Sequence, residues 1–164
     1  MKKKIYCYFC GTKLKDAFSE GRIRRFCDNC QEPIYENPVP ATCLVVINKS
    51  EQVLLVKRNV PPQVGFWCLP GGFIELEETP GKSALRELKE ETGLSGKIQS
   101  LQGVISHPNS LYNTVIIICY LVKSFSGTLI AGDDASDASF FHKSNLPEIA
   151  FKSHEEFINN YFYK

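Results

Sequence analysis

The chain has 164 residues, 43% of them apolar, and a formal net charge of +1, which suits one domain of ordinary size with a small appendage. No run of 18 apolar residues occurs, and MKKKIYCYFC has no long apolar region before a small-residue cleavage site. Both features argue against a membrane span and a secretory signal and for a soluble, cytoplasmic protein. The charge is uneven: residues 1–30 hold eight Lys or Arg against three acids, giving +5 and leaving −4 for the rest. Solvated lysines on a small module account for this more simply than a nucleic-acid surface, so nucleic acid is not an expected partner.

In chain order, Cys7-x₂-Cys10 and Cys27-x₂-Cys30 stand 16 residues apart. That is the spacing of a four-cysteine zinc site, whereas disulfides need an oxidising compartment that nothing in the sequence suggests. A module of roughly 30 residues with few apolar side chains needs such a clip to fold, so structural Zn²⁺ is expected. Residues 1–31 are therefore read as a zinc ribbon and 32–40, with three prolines, as an ordered linker to a domain over 41–164. Cys43 and Cys119 lie in apolar runs and read as small buried residues.

Residues 41–48 (ATCLVVIN) and 52–58 (QVLLVKR) read as paired strands around a turn at 48–51, followed by a proline- and glycine-rich loop and a short strand at 66–69. Residues 79–92 carry helix signals at both ends. The Thr79 hydroxyl can cap, Pro80 suits the first helical position, and Gly93 suits a left-handed residue after the last turn. At 100° per residue Glu87, Glu90 and Glu91 share one sector, apart from Ala84, Leu85 and Leu88. Three clustered carboxylates repel one another and invite a hard cation such as Mg²⁺ or Mn²⁺; the alternative is a solvated acidic face. Beyond the helix, 97–106 and 112–123 read as strands with a turn at His107-Pro108, then 139–142 as a short strand and 153–163 as a helix. Strands interleaved with two helices imply an α/β fold, a mixed sheet in an α/β/α sandwich.

From Gly72 to Leu94 the sequence GFIELEETPGKSALRELKEETGL, with Gly72, Glu78 and the run Arg86-Glu87-Leu88-Lys89-Glu90-Glu91-Thr92-Gly93-Leu94 at their fixed spacings, resembles the signature of the Nudix hydrolases over 23 residues. The resemblance implies that Glu87, Glu90 and Glu91 bind the divalent ions beside Gly72. It also implies that Arg86 and Glu78 pair to hold loop against helix, and that Glu91 or Glu90 acts as base. In other members the base lies on a loop before the late strand, where this chain has GDDASDAS with Asp133, Asp134 and Asp137. Family likeness makes Arg58, with Lys57 second, a candidate for phosphate, although a solvent-facing pair fits as well. Trp67, Phe66 and Phe73 read either as core residues or as platforms for a base. His107 is a weaker candidate for reaching substrate. The ribbon in front of the box resembles the NADH pyrophosphatase group, but the SQPWPFP-like motif of that group is replaced by ISHPNSLYN. KRN-x₂-P-x₂-G-x-W-x-LP-x-G resembles shorter ribbon-bearing members that act on FAD or ADP-ribose. The expected activity is hydrolysis of a nucleoside diphosphate-X compound to AMP and a second phosphate product. The alternatives are a MutT-like triphosphate hydrolase and a ligand-sensing or nucleic-acid-binding protein. The ribbon is read as stabilising the N-terminus and as a candidate homodimer contact.

Overall fold

The computed structural model describes residues 3–109 and 111–163 and divides into two compact units, Met1–Val39 with Pro108–Thr114, and Pro40–His107 with Val115–Lys164.

The first unit is built on an antiparallel sheet of β1 (Lys15–Ser19), β2 (Arg22–Cys27) and β3 (Glu32–Ile34) in the order β1-β2-β3. Glu20 and Gly21 join β1 to β2 with φ of 51° and 80°. Two successive positive φ values make the primed hairpin turn whose twist matches the flanking strands. Among the described residues the buried side chains here are only Cys7, Leu14, Cys27 and Ile34, while Tyr6, Tyr8, Phe9, Phe18 and Ile23 stay exposed. A core so small cannot hold the unit by apolar burial alone. Glu32, Pro33 and Ile34 were expected in the linker; they pair with β2 instead, because Pro33 sits on the edge strand of this sheet, where a missing N–H is tolerated.

The second unit holds, apart from the strand ends at 39, 108–109 and 113–114, β4 (Val39–Val46), β5 (Val53–Arg58), β6 (Trp67–Cys68), α1 (Pro80–Thr92), β7 (Ser95–Asn109), β8 (Asn113–Ser126), β9 (Ala135–Phe141) and α2 (Lys152–Phe162). The strands form two sheets, ordered β4-β8-β7 and β6-β5-β9. The mixed character includes antiparallel β5–β9 pairing and a parallel bridge between Trp67 and Ile149. Cys43, Val45, Ile47, Val53 and Leu55 pack with Phe157 and Ile158 of α2, whereas Leu44, Val46 and Leu54 pack with Ala84 and Leu88 of α1. Because strand side chains alternate, each of these strands feeds both layers, giving the expected α/β/α sandwich.

α1 begins and ends as its sequence dictates. Thr79 accepts the Lys82 N–H, Pro80 is the first helical residue, and Gly93 adopts φ 71° with its N–H on the Lys89 carbonyl. The turn expected at His107-Pro108 is displaced, since β7 runs on to Asn109. β7 is the edge of its sheet, and a proline there need not donate to a ladder. The late strand is also longer than expected, starting at Ala135 rather than 139.

Candidate active site

The loop 69–72 passes between β4 and α1, and its backbone bonds alternate. On one side Leu44 N–H donates to the Pro70 carbonyl and Thr42 N–H to the Gly72 carbonyl, so the loop is laid along β4. On the other side no strand follows, and Gly71 N–H donates instead to Glu91 Oε2 at 2.8 Å. A side chain at Gly71 would run into the backbone of Thr42 and Cys43, and Gly71 has φ 152°, so glycine is required there. A Cβ at Gly72 would collide with the carboxylate of Glu87, its Cδ only 2.6 Å away. The two glycines let the loop come down onto two of the three clustered glutamates.

Arg86 organises the third. Its Nε and Nη2 donate to both oxygens of Glu78 at 2.8 and 3.0 Å, Nη1 to Glu87 at 2.9 Å and to Glu90 at 2.8 Å, and Nη2 to the Phe73 carbonyl at 3.3 Å. One guanidinium thus ties the loop residue Glu78 to the helix and offsets part of the charge of two other carboxylates. Such planar forked pairing is stronger than a single contact between the same charges. The hydrogen bond from Arg86 holds the Glu78 carboxyl at about 2, well below its ordinary value. Burial does the opposite to Glu91, which is 6% exposed: desolvation pushes its carboxyl up to about 8 against the opposing Gly71 N–H. Desolvation also raises Glu87.

The loop before β9 is fastened to the last turn of α1. Gly132 N–H donates to the Glu91 carbonyl at 3.1 Å and Ile130 N–H to the Thr92 carbonyl at 3.0 Å, satisfying carbonyls that a helix end leaves free. This brings Asp133, at φ 51°, within electrostatic reach of both Glu87 and Glu91, whose carboxyls its charge helps to raise. Asp134 and Asp137, favoured from the sequence, are placed differently. The Asp134 carbonyl accepts the Asn59 N–H, and Asp137 lies opposite Lys57 in the β5–β9 ladder.

Arg58 donates to the carbonyls of Pro62 at 2.7 Å, Val60 at 3.2 Å and Pro61 at 3.4 Å and lies over the Phe151 ring. Its charge reaches Glu91, whose carboxyl it lowers, while its donors serve its own loop. Trp67 packs on the α2-side core, edge-on to Phe141 at 4.7 Å between ring centres. Phe73 is exposed, and its contribution here is its carbonyl, shared by Ser83 and Arg86. Sequence reasoning missed His154 of α2, which is buried and whose Nδ1 accepts the Leu69 N–H at 3.1 Å; nothing local to His154 announces a partner 85 residues away.

In the first unit Cys7, Cys10, Cys27 and Cys30 place their sulfurs within 4.8 Å of one another, the one such group of candidate ligands among the described residues. The Cys10–Cys27 and Cys7–Cys30 sulfurs are 3.4 and 3.9 Å apart. A tetrahedron with Zn–S bonds of about 2.3 Å has edges of about 3.8 Å, so the four thiols fit a zinc ion. Hydrogen bonding with Thr12 draws the Cys10 thiol down to about 6, while hydrogen bonding with Cys10 pushes Cys30 up to about 12, so the cluster readily holds one thiolate and a metal's charge would be needed for the others. The glutamates are more openly spaced, but their all-oxygen donor set, with a glycine loop above it, fits Mg²⁺ or Mn²⁺ in kind.

A family model described as NUDIX domain matches residues 37–161. Among curated proteins, the chain is 45% identical over 117 residues to an ADP-ribose pyrophosphatase of Methanocaldococcus jannaschii, covering 71% of this chain and 69% of that protein. It is 27% identical over 143 residues to the NAD-capped RNA hydrolase NudC of Salmonella paratyphi C, covering 87% of this chain but 53% of that one, so it spans about half the length of the NudC relatives. The crystal structure of a NUDIX hydrolase from Nitrosomonas europaea superposes with a TM-score of 0.85 at 27% identity, over 96% of this chain and 90% of that one. Among the described residues no helix is long and apolar enough to cross a membrane.

Proposed function

Because the chain belongs to the Nudix family of hydrolases, we propose that it cleaves the pyrophosphate bond of a nucleoside diphosphate-X compound, ADP-ribose first, to AMP and a second phosphate product. The observation that carries this reading is the seating of Glu91 on the Gly71 N–H, beside Glu87 under Gly72 and Glu90 on Arg86. Glu87, Glu90 and Glu91 would hold Mg²⁺ or Mn²⁺. A divalent cation there supplies neutralisation of charge on the phosphoryl oxygens.

The chain's own residues supply placement. Arg86 and Glu78 keep the loop closed on α1. Gly71 N–H fixes the rotamer of Glu91, which would serve the site as a ligand of the cation or as the base. Asp133 faces the same cluster from the opposite loop and is the second candidate for holding a proton. The relative named as an ADP-ribose pyrophosphatase supports that substrate over FAD or NADH. All three helix glutamates are present, which favours an enzyme over a sensor.

The test is product analysis with Mg²⁺ or Mn²⁺ on ADP-ribose, FAD, NADH and nucleoside triphosphates. AMP from ADP-ribose, abolished in a Glu90→Gln/Glu91→Gln double variant, is the expected result. Pyrophosphate released from triphosphates would select the MutT-like reading, and no turnover with bound metal would select the sensor.

A further inference from the structure

The segment 69–72 behaves as a strand with one partner missing. Its Pro70 and Gly72 carbonyls face β4 and are paired there, so the N–H groups of Leu69 and Gly71 face the other way. On that open edge two side chains stand in for a strand. Glu91 of α1 accepts from Gly71 at 2.8 Å, and His154 of α2 accepts from Leu69 at 3.1 Å. The two acceptors are spaced by two residues, the repeat of a strand edge, and come from helices on opposite faces of the sheet.

We propose that His154 is a positioning residue for the catalytic carboxylate: its Nδ1 fixes the register of Leu69, and through it the direction in which Gly71 presents its N–H to Glu91. The inference rests on the proposed function for its consequence in turnover, but not for the geometry.

An acceptor at Nδ1 requires the neutral ring with its proton on Nε2. The surroundings impose that state, since His154 is buried against Phe151 with Arg58 nearby, and burial drives its pKa down to about 3. Leu69 is fully buried, so its N–H has no recourse to water if the acceptor is removed. A tilt of the peptide plane would relieve that loss, and along a segment tied to β4 at Pro70 and Gly72 the tilt is passed on to Gly71. Gly71 has no freedom towards β4, because even a Cβ there would collide with Thr42 and Cys43. The displacement is therefore directed at Glu91.

His154→Phe keeps a ring without the acceptor, and His154→Asn places an amide oxygen close to the position of Nδ1. In metal-free protein, hydrogen exchange at the Gly71 amide, followed by NMR, should accelerate at least tenfold in H154F and stay near wild type in H154N. With ADP-ribose and Mg²⁺, kcat should fall about 10- to 100-fold in H154F with KM changed less than threefold, and H154N should recover most of it. In a Glu91→Gln background the H154F effect on kcat should vanish, as expected of residues acting through one another. H154A carries the same expectations should the Phe ring prevent folding. Unchanged Gly71 exchange in a folded H154F or H154A, or an H154N as impaired as H154F, would overturn the proposal. Absence of ADP-ribose turnover in wild type would instead strike the functional reading and leave the exchange measurement decisive for this one.

Discussion

Glu91 and His154 are buried ionisable groups whose environments push them in opposite senses. Glu91 titrates near 8 in the folded metal-free protein against 4.5 unexposed to it, so the fold binds an extra proton in that window and loses stability as pH rises through it. His154 is lowered to about 3 from 6.5, so the unfolded chain binds the extra proton and stability is lost as pH falls through that range. The slopes oppose each other where the windows overlap. Melting of the second unit, freed of metal, should therefore depend least on pH between about 4.5 and 6.5 and fall towards 8, with Glu87, raised as well, adding to the downward slope. Glu91→Gln should remove the alkaline fall while reducing kcat on the order of 10²- to 10⁴-fold. A wild-type melting temperature that rises steadily from pH 5 to 8 would contradict the assigned burial. At Gly72 the neighbour is the carboxylate end of the Glu87 side chain and not backbone, so Gly72→Ala should lower kcat more than it lowers melting temperature. Calorimetry beside steady-state kinetics separates the two.

Among the elements, α1 was legible almost to the residue because its start and stop are written locally in Thr79, Pro80 and Gly93. Thr79→Ala should cost about 1 kcal/mol, seen as a drop of about 2–4 °C in melting temperature. β3 and the end of β7 were not legible, because Pro33 and Pro108 read as breaks unless the strand is known to be an edge, and edge position is a property of the sheet. The three glutamates were found by helical periodicity, and Arg86 with Glu78 by likeness to a family. Asp133, named only beside Asp134 and Asp137, and His154, not named at all, could not be singled out for a different reason. They approach the site through a loop capping a helix end and through the packing of α2, neither of which leaves a mark in neighbouring residues.

On the scale of the whole molecule, the two units draw on different sources of stability. The first unit has a core made largely of thiols, so a zinc chelator should release one metal ion per chain and unfold it, while the second keeps its helical signal. A colorimetric zinc assay run with far-ultraviolet dichroism checks this. The glutamates, Arg86, Glu78, Asp133 and His154 all belong to the second unit. Deleting residues 1–39 should therefore leave AMP release within about threefold of wild type; loss of turnover in a folded truncation would show that the ribbon contributes to the site.

The alternation along β4, with Cys43, Val45 and Ile47 in one layer and Leu44 and Val46 in the other, also governs how the gene can change length. Deleting a single codon within 43–47 would exchange the two layers downstream of the cut, presenting each helix with side chains shaped for the other. The neighbouring turn at 48–51 meets solvent and can absorb an added codon without altering either layer. Length variation in descendants of this chain should accordingly collect between β4 and β5 and be purged from β4 itself, even where every substituted residue is apolar.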